Sequence, residues 1–234
     1  MKGTTRGTRD GLCQMTQEHS AIAVVRGRES RPRVKVKARF MTNYDKQYQV
    51  ESNLFGSPYA EFEEFVKQHA KQGGTALDLG CGQGRDALML ARYGYRVIGV
   101  DTSYVGIAQM LERAKKGDLP VNGVVADIYE YELHDKYDAV VLDSILHFEK
   151  ADKNKEVDLL TTLINHISEN GFLFLFVHKS PKKEREVKRW LKAVAAEFAV
   201  AEEGYIDYLY EEVATGFQSA FQYYMLILKR IHPA

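Results

Sequence analysis

Two kinds of apolar pattern alternate along residues 75–230. Short runs have the length and content of buried parallel strands: Ala76-Leu77-Asp78-Leu79, Arg96 to Val100, Val121 to Ala126, Tyr137 to Leu142 and Phe172 to Val177. Between them, apolar residues recur at helical spacing. One set is Ala87, Leu88, Leu90 and Ala91, and the next is Val105, Ile107, Ala108, Met110 and Leu111. Val157, Leu159, Leu160, Leu163, Ile164 and Ile167 form a third, and Val187, Trp190, Leu191, Val194 and Ala195 a fourth. The punctuation agrees. Pro58 can open a helix that runs to about Gln72, where Gly73-Gly74 stops it; Ser103 suits an N-cap; Asn170-Gly171 closes a helix over Glu156 to Glu169; Pro181 begins another. Tyr205–Glu212 and Gln218–Lys229 pattern as two strands joined by a turn around Ala214-Thr215-Gly216. The alternation predicts an α/β domain with a mostly parallel sheet.

The stretch with most chemistry is Thr75 to Asp101. Its first strand breaks into Gly80-Cys81-Gly82-Gln83-Gly84, a loop with little side-chain bulk. A helix follows, then a second strand that ends on Asp101. Strand, glycine loop, helix, strand and acid make a βαβ unit suited to a nucleoside-bearing ligand. Glycines let the backbone approach the ligand, and free N–H groups at the helix start face it. A carboxylate at the end of the second strand can accept from two vicinal ribose hydroxyls. Two ligands compete for this pattern. A dinucleotide site asks for G-x-G-x-x-G. Here the spacing is G-x-G-x-G, followed by Arg85-Asp86 and preceded by Asp78.

The run Asp78-x-Gly80-x-Gly82-x-Gly84, with helix, strand and Asp101 in register, resembles motif I of the class I S-adenosylmethionine (SAM) methyltransferases. Within that superfamily, the GCGQGR loop is most similar to the tellurite-resistance methyltransferases and related small-molecule enzymes. The resemblance covers about residues 43–230. It implies a three-layer Rossmann-like fold with a mostly parallel seven-stranded sheet and a terminal antiparallel hairpin. It also implies SAM as cofactor, held by Asp78, Gly80, Cys81, Gly82, Gly84, Arg85, Asp101, Thr102, Asp127, Ile128, Leu142 and Asp143. Asp127 and Ile128 would border adenine. Cys81 reads as a small filler rather than a nucleophile. No Asn-Pro-Pro-Tyr-type sequence follows the fourth strand, where Asp143-Ser144-Ile145-Leu146 stands instead. That speaks against enzymes that methylate amino groups of DNA, glutamine or adenine.

The expected acceptor side gathers at carboxyl ends of strands. His147 is the candidate general base, because an imidazole pKa of about 6.5 suits neutral pH. Tyr44, Tyr48, His147, Phe148 and His178 are candidates for the acceptor pocket. Tyr44 and Tyr48 belong to an aromatic segment, Asn43 to Tyr59, that resembles the N-terminal cover over SAM in small-molecule methyltransferases. The competing reading packs these aromatics at the edge of the core. The expected reaction is direct SN2 transfer to a small-molecule acceptor. Other readings are a non-catalytic SAM-binding module, a partner subunit, or a methyltransferase acting on protein or RNA. No spacing of metal ligands occurs, and no repeat.

Charge and composition refine this picture. The 234 residues carry 32 basic and 32 acidic side chains. Residues 1–40 hold ten Lys and Arg against three acids, a charge of +7, which leaves −7 on the remainder. An acidic catalytic domain argues against a polyanionic acceptor. Lys182, Lys183, Arg185, Lys188 and Arg189 read as the solvated face of their helix. Residues 1–40 read as a flexible basic leader ahead of a domain at 41–234. That leader could be an arm for nucleic acid, a transit peptide, or a stretch ahead of a physiological start at Met41. The two cysteines, Cys13 and Cys81, predict a reducing, cytoplasmic compartment rather than a disulfide framework. No apolar run approaches the roughly 18–20 residues of a membrane helix. A monomer or homodimer is expected.

Overall fold

The computed structural model describes residues 23–25, 43–212 and 216–231. The expectations for the leader therefore lie outside the described residues, apart from Ala23–Val25, and so does the turn expected at Ala214-Thr215.

The sheet is built from β1 (Ala23–Val25), β2 (Thr75–Leu79), β3 (Arg96–Asp101), β4 (Val121–Val125), β5 (Tyr137–Asp143), β6 (Ile167–His178), β7 (Phe198–Glu212) and β8 (Phe217–Arg230). Their order is β1-β4-β3-β2-β5-β6-β8-β7. The five strands from β4 to β6 are parallel, and β8 and β7 follow antiparallel. These seven are the expected strands of the Rossmann-like methyltransferase fold. An eighth joins them: β1 pairs antiparallel with β4 through Ala23↔Val125 and two further pairs.

The helices are α1 (Asn43–Val50), α2 (Ala60–His69), α3 (Arg85–Arg92), α4 (Tyr104–Lys116), α5 (Lys153–Leu163) and α6 (Pro181–Val194). Side chains alternate across each strand, so each sheet face builds its own core. One face packs Ala76, Val141, Phe174 and Ile227 with Phe62 of α2, Met89 of α3 and Met110 of α4. The other packs Leu77, Leu79, Val140 and Leu226 with Leu160 of α5 and Trp190 of α6. The result is three layers, with the strand order reversing between β2 and β5. Such a reversal leaves a crevice at the strands' carboxyl ends.

Several boundaries differ from the expected ones. The helix expected over 156–169 spans Lys153–Leu163, followed by a 3₁₀ turn at Ile164–His166. Asn170-Gly171 does not end that helix. It bends β6, where pairing jumps from Tyr137↔Ile167 to Ala139↔Phe172 and Asn170 takes φ 60°. The segment before α2, read only as aromatic and polar, contains α1. The hairpin is longer than expected because β7 begins at Phe198.

Candidate functional site

The glycine loop leaves β2 at the crevice. The amides of Gly80 and Cys81 both donate to Val100 O, at 2.8 and 3.1 Å, which ties the loop to β3. Gly84 caps α3 at φ 82°, a left-handed conformation that penalises any side chain, and a Cβ there would run into Met110. Gly82 has φ 51°, and a Cβ would lie 2.6 Å from the Tyr48 hydroxyl. Cys81 is buried, and burial pushes its thiol pKa well up, with Asp78 and Asp101 adding to the shift. It is a thiol, not a thiolate, which agrees with its role as filler.

Three carboxylates surround the loop. Asp101 ends β3; its Oδ2 accepts from Gly82 N at 2.9 Å and its Oδ1 from Ser103 N at 2.7 Å. Burial raises its pKa, and the two amides oppose that rise. Each oxygen keeps a second lone pair for ligand hydroxyls. Asp78 is buried beneath the loop, and its Oδ2 has no hydrogen-bond partner among the described residues. Burial raises its pKa, and the charge of Asp86 adds to the effect. An orphaned, buried acid oxygen under a backbone cradle fits a ligand with hydrogen-bond donors and positive charge. Asp143 ends β5 and meets the Arg85 guanidinium, the Ser144 hydroxyl at 2.8 Å and the Tyr59 hydroxyl at 3.3 Å. Arg85 also forks onto Asp86 with two bonds of 2.9 Å, and it lies 4.5 Å over the Tyr59 ring. Burial is the largest single influence and opposes its charge, but Asp86 and Tyr59 together outweigh burial and hold the guanidinium protonated.

The N-terminal segment closes over the loop. Asp45 of α1 accepts from Ser103 Oγ at 2.6 Å and from Val105 N at 3.2 Å. Gln109 of α4 donates to Tyr48 O at 2.7 Å. Gln83 accepts from Leu54 N at 2.9 Å and donates to Glu51 O at 2.7 Å. On the far side, the Tyr208 hydroxyl donates to Phe55 O at 3.0 Å. Tyr48 is buried and stacks 5.7 Å from the exposed Tyr44. Burial and the nearby Asp101 raise its phenol pKa. Tyr48 thus lies on the loop and beside Asp101, on the side expected for the cofactor rather than the acceptor.

The remaining expected residues separate. Asp127 accepts from Tyr129 N at 3.0 Å and Ile128 is half-buried beside it, while Thr102 is exposed. Leu142 sits fully inside the core, so only its backbone can face the crevice. Phe148 is likewise fully buried, which takes its side chain out of any pocket wall. The cause is local: Phe148 takes φ 52°, and its amide and that of His147 donate to the buried Glu156 at 2.6 and 2.8 Å. His147 points its side chain into solvent. His178 is half-buried against the rings of Tyr223 and Phe221. Among the described lysines and arginines of α6, Lys182, Lys188 and Arg189 pair with Glu149, Glu203 and Glu186.

Sequence reasoning missed Asp45, Gln83 and Glu156. Gln83 alone left a signal, as a long amide in a loop otherwise made of glycines and one small thiol. A surface groove of about 630 Å³ lies between α2 and the strands β6, β7 and β8, and no residue of the glycine loop lines it. The described residues contain no cluster of metal ligands.

A family model described as "Methyltransferase domain" matches residues 76–171. The cypemycin N-terminal methyltransferase of Streptomyces sp is 32% identical over 120 residues, which is 51% of this chain and 48% of that protein. A Haemophilus influenzae protein named "Probable S-adenosyl-L-methionine-dependent methyltransferase TehB" is 29% identical over 96 residues, 41% of this chain and 33% of its own. The crystal structure of TehB from that organism matches with a TM-score of 0.62 at 19% identity, covering 81% of this chain and 67% of that one. An rRNA methylase from Streptococcus thermophilus shares the fold at a TM-score of 0.54 and 11% identity, covering 74% and 95%. The chain spans about half or less of the length of the curated relatives named here.

Proposed function

We propose that this chain, which carries a methyltransferase domain across residues 76–171, transfers a methyl group from SAM to a small-molecule acceptor. The transferase unit is residues 41–234. The observation that carries the reading is Asp101: a carboxylate anchored by the Gly82 and Ser103 amides in front of a glycine-rich loop. Asp101 takes the ribose hydroxyls, with Thr102 beside it. Gly80, Cys81, Gly82 and Gly84 let the backbone pass close to the cofactor, and Asp78 faces its cationic end from below. Asp127 and Ile128 border the adenine. Arg85 and Asp143 neutralise one another and stiffen the end of β5.

Bound SAM supplies an electrophilic methyl group. The protein's part is to align the acceptor with that carbon and to exclude water. Its wall is made by the cover, the loop after β5 and the β7–β8 hairpin, where Tyr59, Tyr208 and Tyr223 pack with centroids 5.6–5.8 Å apart. The carboxylate partners of Lys182, Lys188 and Arg189 support a small acceptor over a nucleic acid. A cytoplasmic setting fits the buried free thiol; no helix among the described residues is long and apolar enough to cross a membrane.

Calorimetry with SAM, S-adenosylhomocysteine and NAD tests the cofactor assignment. Formation of S-adenosylhomocysteine with a panel of small amines, hydroxylated compounds, peptides and RNA tests the acceptor class. Binding of SAM and product from a small acceptor are expected. Product only with peptide or RNA would overturn the small-molecule reading, and binding without any product would make the chain a SAM-binding module.

A further inference from the structure

Two described histidines stand where strands end at the crevice: His147, after β5, and His178, the last residue of β6. Their surroundings differ. His147 is exposed, whereas His178 is half-buried with its ring centroid 4.6 Å from that of Tyr223 and 5.2 Å from that of Phe221. The Nε2 of His178 lies 3.4 Å from the Tyr223 hydroxyl. Tyr223 is the cross-strand partner of His178, so sheet register brings the two together. The Tyr223 ring packs 5.6 Å from that of Tyr59, whose hydroxyl donates to Asp143 at the end of β5. Contacts therefore run unbroken from His178 to the place where the strand order reverses.

We infer that His178 is the proton acceptor in methyl transfer, and that the methyl acceptor is a protic nucleophile, an amine or a hydroxyl. The inference rests on the transferase reading above. A lone pair on the acceptor nitrogen or oxygen forms a bond to the methyl carbon. The carbon–sulfur bond breaks and its electron pair stays on sulfur. The acceptor's proton passes to Nδ1 of His178 and later to water. Tyr223 is a positioning residue: in the tautomer with the proton on Nε2, that N–H donates to the Tyr223 hydroxyl oxygen and Nδ1 is free to accept.

The surroundings suit this role. Burial lowers the His178 pKa, and the positive Lys183 of α6 and His147 of the loop after β5 lower it further. Glu149 stands against both of those groups, and Tyr223 and Phe221 face the ring from β8. A neutral imidazole at neutral pH is ready to take a proton.

The test follows S-adenosylhomocysteine formation against pH for the full chain and for His178→Asn, His178→Gln and Tyr223→Phe, with amine and hydroxyl acceptors. Wild-type kcat should fall as pH drops through a pKa below the ordinary value of about 6.5. Both His178 variants should lose that acid limb and about 10²–10⁴-fold in kcat, with SAM affinity by calorimetry unchanged. Tyr223→Phe keeps the ring packing and should lower kcat with acceptor KM unchanged. Wild-type turnover in both His178 variants overturns the assignment and leaves the transferase reading intact. No product from the wild-type chain with any acceptor overturns both.

Discussion

Asp45 and Ser103 share a buried hydrogen bond of 2.6 Å, from hydroxyl to carboxylate. The same Ser103 oxygen accepts from Gly106 N at 2.9 Å and so caps α4. One side chain thereby starts the helix that follows the βαβ unit and anchors the segment that covers its loop. Ser103→Ala removes both bonds. A loss of about 1–3 kcal/mol is expected, read as a lower urea midpoint with an unchanged slope. An unaltered midpoint would mean that the cap and the anchor carry no energy.

Gly84→Ala should be costly for two reasons that act together. Its φ of 82° strains any side chain, and the added methyl meets the fully buried Met110. Destabilisation of about 2–5 kcal/mol is expected. Gly56→Ala, also at positive φ but with nothing within 4 Å, is the control. It should cost only the backbone share, about 1–2 kcal/mol. Equal losses at the two positions would refute the close packing assigned to Gly84.

Asp101→Asn keeps the shape of the side chain and removes its charge. SAM affinity should drop by about 1.5–3 kcal/mol, the worth of hydrogen bonds to a charged group. The pH dependence follows from the direction of the shift. Burial raises the Asp101 pKa, so its charge is lost at a higher pH than for an ordinary aspartate. Below that pKa the neutral carboxyl is the weaker acceptor. Affinity should therefore weaken as pH falls through it and stay flat above it. Calorimetry between neutral and mildly acid pH reads this directly, and a variant with wild-type affinity would displace Asp101 from the sugar.

Gln83→Leu fills similar space but leaves the Leu54 amide without its 2.9 Å partner. An unpaired buried donor costs about 1–3 kcal/mol. The loss should be local to the cover: Leu54 amide exchange should speed up by about tenfold or more, while amides of β2 and β5 keep their protection. Uniform acceleration across the sheet would show that Gln83 supports the whole fold instead.

Much of the molecule is legible in its sequence. Short apolar runs and helical spacings alternate because strands buried on both faces and helices buried on one leave those two periods. Alternating glycines and a terminal acid mark a backbone-lined ligand site because only glycine can sit at φ 82° beside Met110. These are local rules, written within about thirty residues of Thr75. The sequence was silent on Asn170-Gly171 as a bend in β6, because the same pair would also end a helix.

What only the tertiary structure decided is which distant groups meet. Gln83 reaches Leu54 across 29 positions, Asp45 reaches Ser103 across 58, and Asp143 gathers Arg85 and Tyr59 from two other elements. His147 and His178 look alike as histidines after strands. Sheet register sets one against Tyr223, and a left-handed turn at Phe148 leaves the other in solvent. Spacing along a chain fixes which face a residue takes, but contact across the sheet depends on strand order and register, and no single segment encodes those.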